Sequence, residues 1–147
     1  MAPKKRPIAE ADLAAVETRH RFRFPPDYRA YLIEHGTTVP DPSFFWIKKG
    51  KDGDGAWFER LYGPRELGAE FPDGKVGGPP DLLPIGDDGM EYKICIGIRG
   101  KRYGSIWVLN YGRPNWGLTR VASSYTELLG KLRPFPPECT EGAVAPG

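Results

Sequence analysis

The 147 residues fit one domain of ordinary size, which excludes a multidomain machine. Hydrophobic residues at 39%, charged residues at 27% and 7 Phe, 7 Tyr and 4 Trp supply a real core and exclude wholesale disorder, while 19 Gly and 16 Pro exclude long uninterrupted helices. The net charge is only +2, and Lys4, Lys5 and Arg6 alone exceed it, so the folded body is nearly neutral and argues against generic nucleic-acid binding.

Residues 1–7 read as a flexible basic start. From Ile8 to Arg19, Ala9, Leu13 and Val16, with His20 beyond, recur at i, i+4, i+7 and i+11, which predicts a short amphipathic helix. Phe22 to Gly36 predicts a second one. Pro26 and Asp27 suit its first turn and Gly36 its end; Tyr28, Tyr31, Leu32 and His35 share a face, with Arg29 and Glu34 on the wet side.

After Pro40 the period changes to that of strands. Phe44 to Lys48 and Ala56 to Tyr62 predict a hairpin around the loop Lys49 to Gly55, and Pro64 to Gly68 predicts a helical turn. Ala69 to Pro80, rich in Gly and Pro, reads as a long loop of the kind that is often functional. Three strands follow as a meander, over Leu82 to Gly86, Glu91 to Ile98 and Ser105 to Tyr111, with R-G-K-R-Y-G turning between the last two. Ser124 to Leu132 predicts a docking helix with a capping box at Ser124 and Glu127. Residues 133–147 read as a loose Pro-rich tail after a domain spanning 8–132. This order predicts an α+β fold: a single domain with an antiparallel sheet of about four to six strands, flanked by N-terminal helices and a C-terminal helix.

Enzyme signatures fail in turn. His20 and His35 form no metal-binding pair, and none of Ser43, Ser105, Ser123 and Ser124 sits in G-x-S-x-G. Cys95 alternates with isoleucines, where apolar surroundings raise a thiol pKa, and Cys139 lies in the tail. Asp52-Gly53-Asp54-Gly55 starts like a calcium loop but continues with Ala56, and no glycine pattern prepares a phosphate cradle. No catalytic residue, metal or cofactor is expected. No apolar run approaches the roughly 18 residues of a membrane helix, and the N-terminus lacks an apolar signal segment, so no membrane association and a cytoplasmic location are expected.

The densest chemistry is Ile85-Gly86-Asp87-Asp88-Gly89-Met90-Glu91. Three carboxylates, Asp87, Asp88 and Glu91, lie within five positions between two strands. They read as a solvated Gly-Asp turn, as an acidic rim for a protein partner, or as ligands for a divalent ion. Aromatic side chains dominate protein interfaces, and Trp46, Tyr111 and Trp116 are the candidates here; Trp57 is another aromatic of this set, and Trp107 reads as core.

Three segments, F-P-P-D-Y-R-A-Y-L-I-E-H-G, L-L-P-I-G-D-D-G-M-E-Y and V-A-S-S-Y-T-E-L-L-G-K-L, occur in that order, and over Ile8 to Leu132 the chain resembles the SUKH superfamily, the Smi/Knr-type domain. The resemblance implies an α+β domain that binds proteins without catalysis. Many members are immunity proteins that neutralise a cognate bacterial toxin, often a nuclease, and fungal relatives act in cell-wall signalling. The P-x-D-Y-R motif falls on Pro25, Asp27, Tyr28 and Arg29, which read as structural, and the I-G-D-x-G motif on Ile85, Gly86, Asp87 and Gly89. The chain departs from the pattern at His35-Gly36, at Glu91, at Gly97 and at Asn110-Tyr111-Gly112-Arg113, and the lost acids weaken the case for a basic nuclease partner. The alternatives are a regulatory or scaffold protein binding a protein or nucleic acid, and a metal-dependent hydrolase using the acidic turn. Partner identity and oligomeric state stay open.

Overall fold

The computed structural model describes residues 8–48, 54–69, 79–90, 92–110 and 117–136. Helices α1 (Glu10–His20) and α2 (Pro26–His35) open the chain, followed by strands β1 (Phe44–Lys48), β2 (Asp54–Trp57) and β3 (Arg60–Leu61) and helix α3 (Pro64–Ala69). Strands β4 (Leu82–Asp87), β5 (Tyr92–Gly97), β6 (Ile106–Asn110) and β7 (Leu118–Ala122) come next, with a 3-10 turn at Gly100–Arg102 between β5 and β6, and α4 (Tyr125–Lys131) closes. Strands β3 to β7 form one antiparallel sheet in chain order, and β1 and β2 form a separate hairpin. The expected α+β architecture is present.

Period-2 alternation gives this sheet two apolar faces. Leu83, Ile85, Ile94, Ile96, Ile106 and Val108 join the main core, whereas Leu82, Cys95 and Leu109 form a second cluster with Trp107 and Leu118 against it. Pairings such as Ile94 with Val108 and Cys95 with Trp107 keep each set in register. Trp107 is therefore half-buried on the second face, with its indole donating to Ser105 Oγ at 2.8 Å and the Arg102 guanidinium 4.7 Å above its ring.

The helices cover the first face through Leu13, Tyr28, Leu32, Leu67, Tyr125 and Leu128, all fully buried. The P-D-Y-R segment explains how three helices are joined. Asp27 Oδ2 accepts from the backbone N–H and hydroxyl of Thr126, at 2.9 and 3.0 Å, and so satisfies a donor at the start of α4. Tyr28 packs edge-on to Tyr125 with centroids 5.0 Å apart. Arg29, expected on the wet side, instead has a side chain only 22% exposed and donates to Glu17 of α1 through Nε at 3.2 Å and Nη2 at 3.3 Å. The motif is a helix-joining device, as its structural reading implied. Ser124 accepts from the Glu127 N–H as the capping box predicts, whereas Glu127 reaches one residue further back and accepts from the Ser123 N–H instead of that of Ser124.

Other expectations change. The second arm of the predicted hairpin splits: Asp54 already belongs to β2, and Arg60–Leu61 leaves to pair with β4, because the Asp87 carbonyl accepts from Glu59 N and the Ile85 carbonyl from Tyr62 N. Strand β7 has no counterpart in the sequence reading, since L-T-R-V-A lacks clean alternation. The start of the tail is docked rather than loose. Arg133 and Phe44 exchange backbone hydrogen bonds at 3.2 and 2.8 Å, and the Phe135 ring lies 5.4 Å from Phe44 and 5.5 Å from Trp57.

Candidate functional site

The turn joining β4 to β5 is built by its own acids. Gly86 leaves no room for a side chain, because an added Cβ would stand 2.4 Å from the Arg60 carbonyl oxygen. Asp87 then meets Arg60 on the neighbouring strand: its Oδ2 accepts from Arg60 Nη2 at 2.8 Å and from the Tyr62 hydroxyl at 2.6 Å, and its Oδ1 accepts from Gly89 N–H at 2.9 Å. Desolvation acts to raise the Asp87 pKa, but the bonds from Arg60, Tyr62 and Gly89 outweigh it and hold the carboxyl below its ordinary value. Arg60 is raised in turn, chiefly by its hydrogen bond to Asp87.

Asp88 points inward. It is 3% exposed, and its Oδ1 accepts from Met90 N–H at 2.9 Å and Tyr92 N–H at 3.1 Å. Gly89 takes φ 75°, a left-handed conformation that glycine adopts without strain. The two carboxylates are therefore committed to closing the turn, and the reading of solvated acids is corrected: backbone N–H groups and Arg60 occupy them. What the turn presents outward is Met90, 79% exposed. Sequence reasoning passed over Met90, although its place after G-D-D-G at a hairpin tip was the available signal.

The rest of this end of the sheet is assembled by strand pairing. Tyr92 lies opposite Asn110, and Asn110 N–H donates to the Gly117 carbonyl at 3.2 Å, which brings the two ends of the β6–β7 connection beside the turn. The Tyr92 hydroxyl bonds Asp54 Oδ2, adding the β1–β2 hairpin to the same end. A groove of about 400 Å³ runs between them, lined by Asp54, Tyr92, Asn110, Leu118 and their neighbours. Tyr111, expected at the end of the strand Ser105 to Tyr111, Trp116, expected among the exposed aromatics, and Glu91 lie outside the described residues.

Trp46 is not part of this grouping. It is half-buried with its ring edge-on to Phe44 at 5.1 Å, and it lines a different depression with Ile47, Lys131 and Arg133. Trp57 is also half-buried, so among the described residues the exposed large apolar side chains are Met90, Tyr103 and Phe135 rather than tryptophans.

Among the described residues, no helix is long and apolar enough to cross a membrane. No curated protein matches the chain. The sequence profile of the SMI1 / KNR4 family (SUKH-1) matches residues 7–131.

Proposed function

The chain belongs to the SMI1 / KNR4 family (SUKH-1), and we propose that it is a non-enzymatic protein-binding domain, an immunity protein that neutralises a cognate bacterial toxin in the cytoplasm by direct binding. The observation that carries this reading is the family match across residues 7–131, which spans the whole sheet and all four helices. The site geometry supports it in a specific way. The acids of the I-G-D-x-G segment are engaged by Arg60, Tyr62 and backbone donors, so they serve to shape a rigid tip that holds an apolar side chain out. A fixed, exposed apolar residue beside a groove suits recognition of another surface.

We place the contact at this end of the sheet. Met90 is its centre, Asp87 fixes the tip through Arg60 and Tyr62, and Glu91, Tyr111 and Trp116 extend it. Asp88 acts from within by closing the turn, and Trp46, in its own depression with Lys131 and Arg133, is left out of this contact. The boundaries of the functional unit are residues 8–132, with 1–7 and 133–147 as extensions.

The test is affinity capture with the tagged chain in parallel with Met90→Glu. A single stoichiometric protein should be retained by the wild type and lost, or weakened by roughly tenfold or more, with Met90→Glu, since a charge would then be buried in an apolar contact. Equal retention by the two would overturn the placement, and no stoichiometric protein under moderate salt would overturn the binding reading.

A further inference from the structure

The end of the sheet opposite the acidic turn carries the reverse charge. There the α1–α2 connection, H-R-F-R-F, meets the β5–β6 turn, R-G-K-R-Y-G. Two long-range hydrogen bonds fasten them: Arg99 Nη2 donates to the His20 carbonyl at 2.8 Å, and the Tyr103 hydroxyl donates to the Arg23 carbonyl at 3.0 Å. Residues some eighty positions apart in sequence thus place Arg21, Arg23, Arg99 and Lys101 on one exposed surface.

The neighbouring cations are already used. Arg29 is held by Glu17 and Glu10, and Arg102 by Asp81 at 3.1 Å. Glu17 is spent on Arg29 and the Phe24 N–H. Arg21, Arg23 and Lys101 have no ion-pair partner among the described residues, so the surface is left with uncompensated positive charge on an otherwise nearly neutral body. A groove of about 840 Å³ runs along α1 and the α1–α2 connection, with Glu10, Glu17, Arg21, Phe22 and Arg23 on its walls and Tyr103 as the contribution of the β5–β6 turn. Tyr103 is 42% exposed. Arginine and tyrosine around a concavity are the composition of a protein-binding surface.

Arg21 supplies an independent observation. It ends α1 at φ 57°, ψ 57°, the left-handed cap position where glycine or asparagine is at ease. Its N–H completes the helix by donating to the Glu17 carbonyl, a bond that any residue but proline makes. Stability therefore does not select arginine at this position.

We propose that this basic end is a second contact surface, separate from the Met90 tip, which receives an acidic segment of a partner protein. A protein segment fits better than a phosphate backbone, because only a few unpaired cations stand beside the apolar walls of Phe22 and Tyr103, which suits a few carboxylates set among apolar side chains rather than a phosphate row read along a basic face. The acidic segment lies along the groove with carboxylates on Arg21 and Arg23 and its apolar parts against Tyr103 and Phe22, and continues past Tyr103 to the exposed Lys101.

The experiment is fluorescence anisotropy with a labelled deca-glutamate peptide at low salt, on the wild type, Arg21→Gly, the double variant Arg23→Glu with Lys101→Glu, and Arg133→Glu at the far end as a control. The wild type and the control should bind alike. The double variant should bind about tenfold or more weakly. Arg21→Gly should weaken binding several-fold while its thermal midpoint stays level or rises, a combination that a purely structural role for Arg21 does not give. Equal binding by the wild type and the double variant would overturn the inference, and so would tighter binding of a deoxythymidine dodecamer than of the peptide at the same salt. Either result leaves the protein-binding reading standing, because that reading is tested at Met90 with a captured protein.

Discussion

Asp88 and Glu17 show how buried carboxylates in this chain serve the backbone. Asp88 accepts from the Met90 and Tyr92 N–H groups, and Glu17 from the Phe24 N–H and from the Arg29 guanidinium, which also reaches Glu10. Removing such an acceptor takes a partner from backbone N–H groups that the fold holds in place, so Asp88→Ala and Glu17→Ala should each cost about 1–3 kcal/mol, read as a lower urea midpoint at unchanged slope. An unshifted midpoint would show that water replaces the carboxylate. Asp87 adds a pH signature. Its folded pKa lies below the ordinary value, so its contribution to stability is complete above the ordinary carboxyl range and is lost as pH falls through that range toward the lowered value. Glu127, lowered chiefly by the Ser123 N–H, acts in the same direction. Stability measured against pH should therefore decline on the acid side, and Asp87→Asn should make that decline shallower.

At the scale of elements, the two turns of the sheet are fixed by close backbone approach. A Cβ on Gly97 would stand 1.8 Å from the Arg102 carbonyl oxygen, with backbone rather than a movable side chain in the way. Gly97→Ala should consequently destabilise the fold by about 1–3 kcal/mol and displace the 3-10 turn that carries Lys101. Thermal melting checks the first effect, and loss of deca-glutamate binding the second. Ser124→Ala, which removes the α4 cap, should cost about 1 kcal/mol with no effect on the peptide. Strong local signals made most elements legible: Pro26 and Gly36 around α2, the capping pair of α4, and the alternating isoleucines of β5. Strand β7 was not legible because its alternation is broken by Thr119 and Arg120, both exposed, and its place is set by pairing with β6. The brief β3 is likewise defined by its partner β4.

For the whole molecule, the nearly neutral composition conceals two unlike ends of the sheet, one with its charges paired and one with cations left over. The turn between β4 and β5 carries Asp87 and the exposed Met90, and the opposite end carries Arg21, Arg23, Arg99 and Lys101. The sequence made the acidic cluster conspicuous, yet its carboxylates turned out to be occupied, because only the fold places Arg60 and Tyr62 beside Asp87. The basic end was illegible for the converse reason. Its cations come from two stretches far apart in sequence, and Lys101-Arg102 alone gave no sign that Arg102 would pair with Asp81 while Lys101 stayed available.

The central claim is that this domain neutralises a protein by occupying it. The most direct measurement is growth of cells in which the captured stoichiometric partner is induced, with and without this chain co-expressed. Arrested growth with the partner alone and restored growth with the chain, reversed by Met90→Glu, is the predicted result. Arrest that persists although the complex forms would contradict neutralisation.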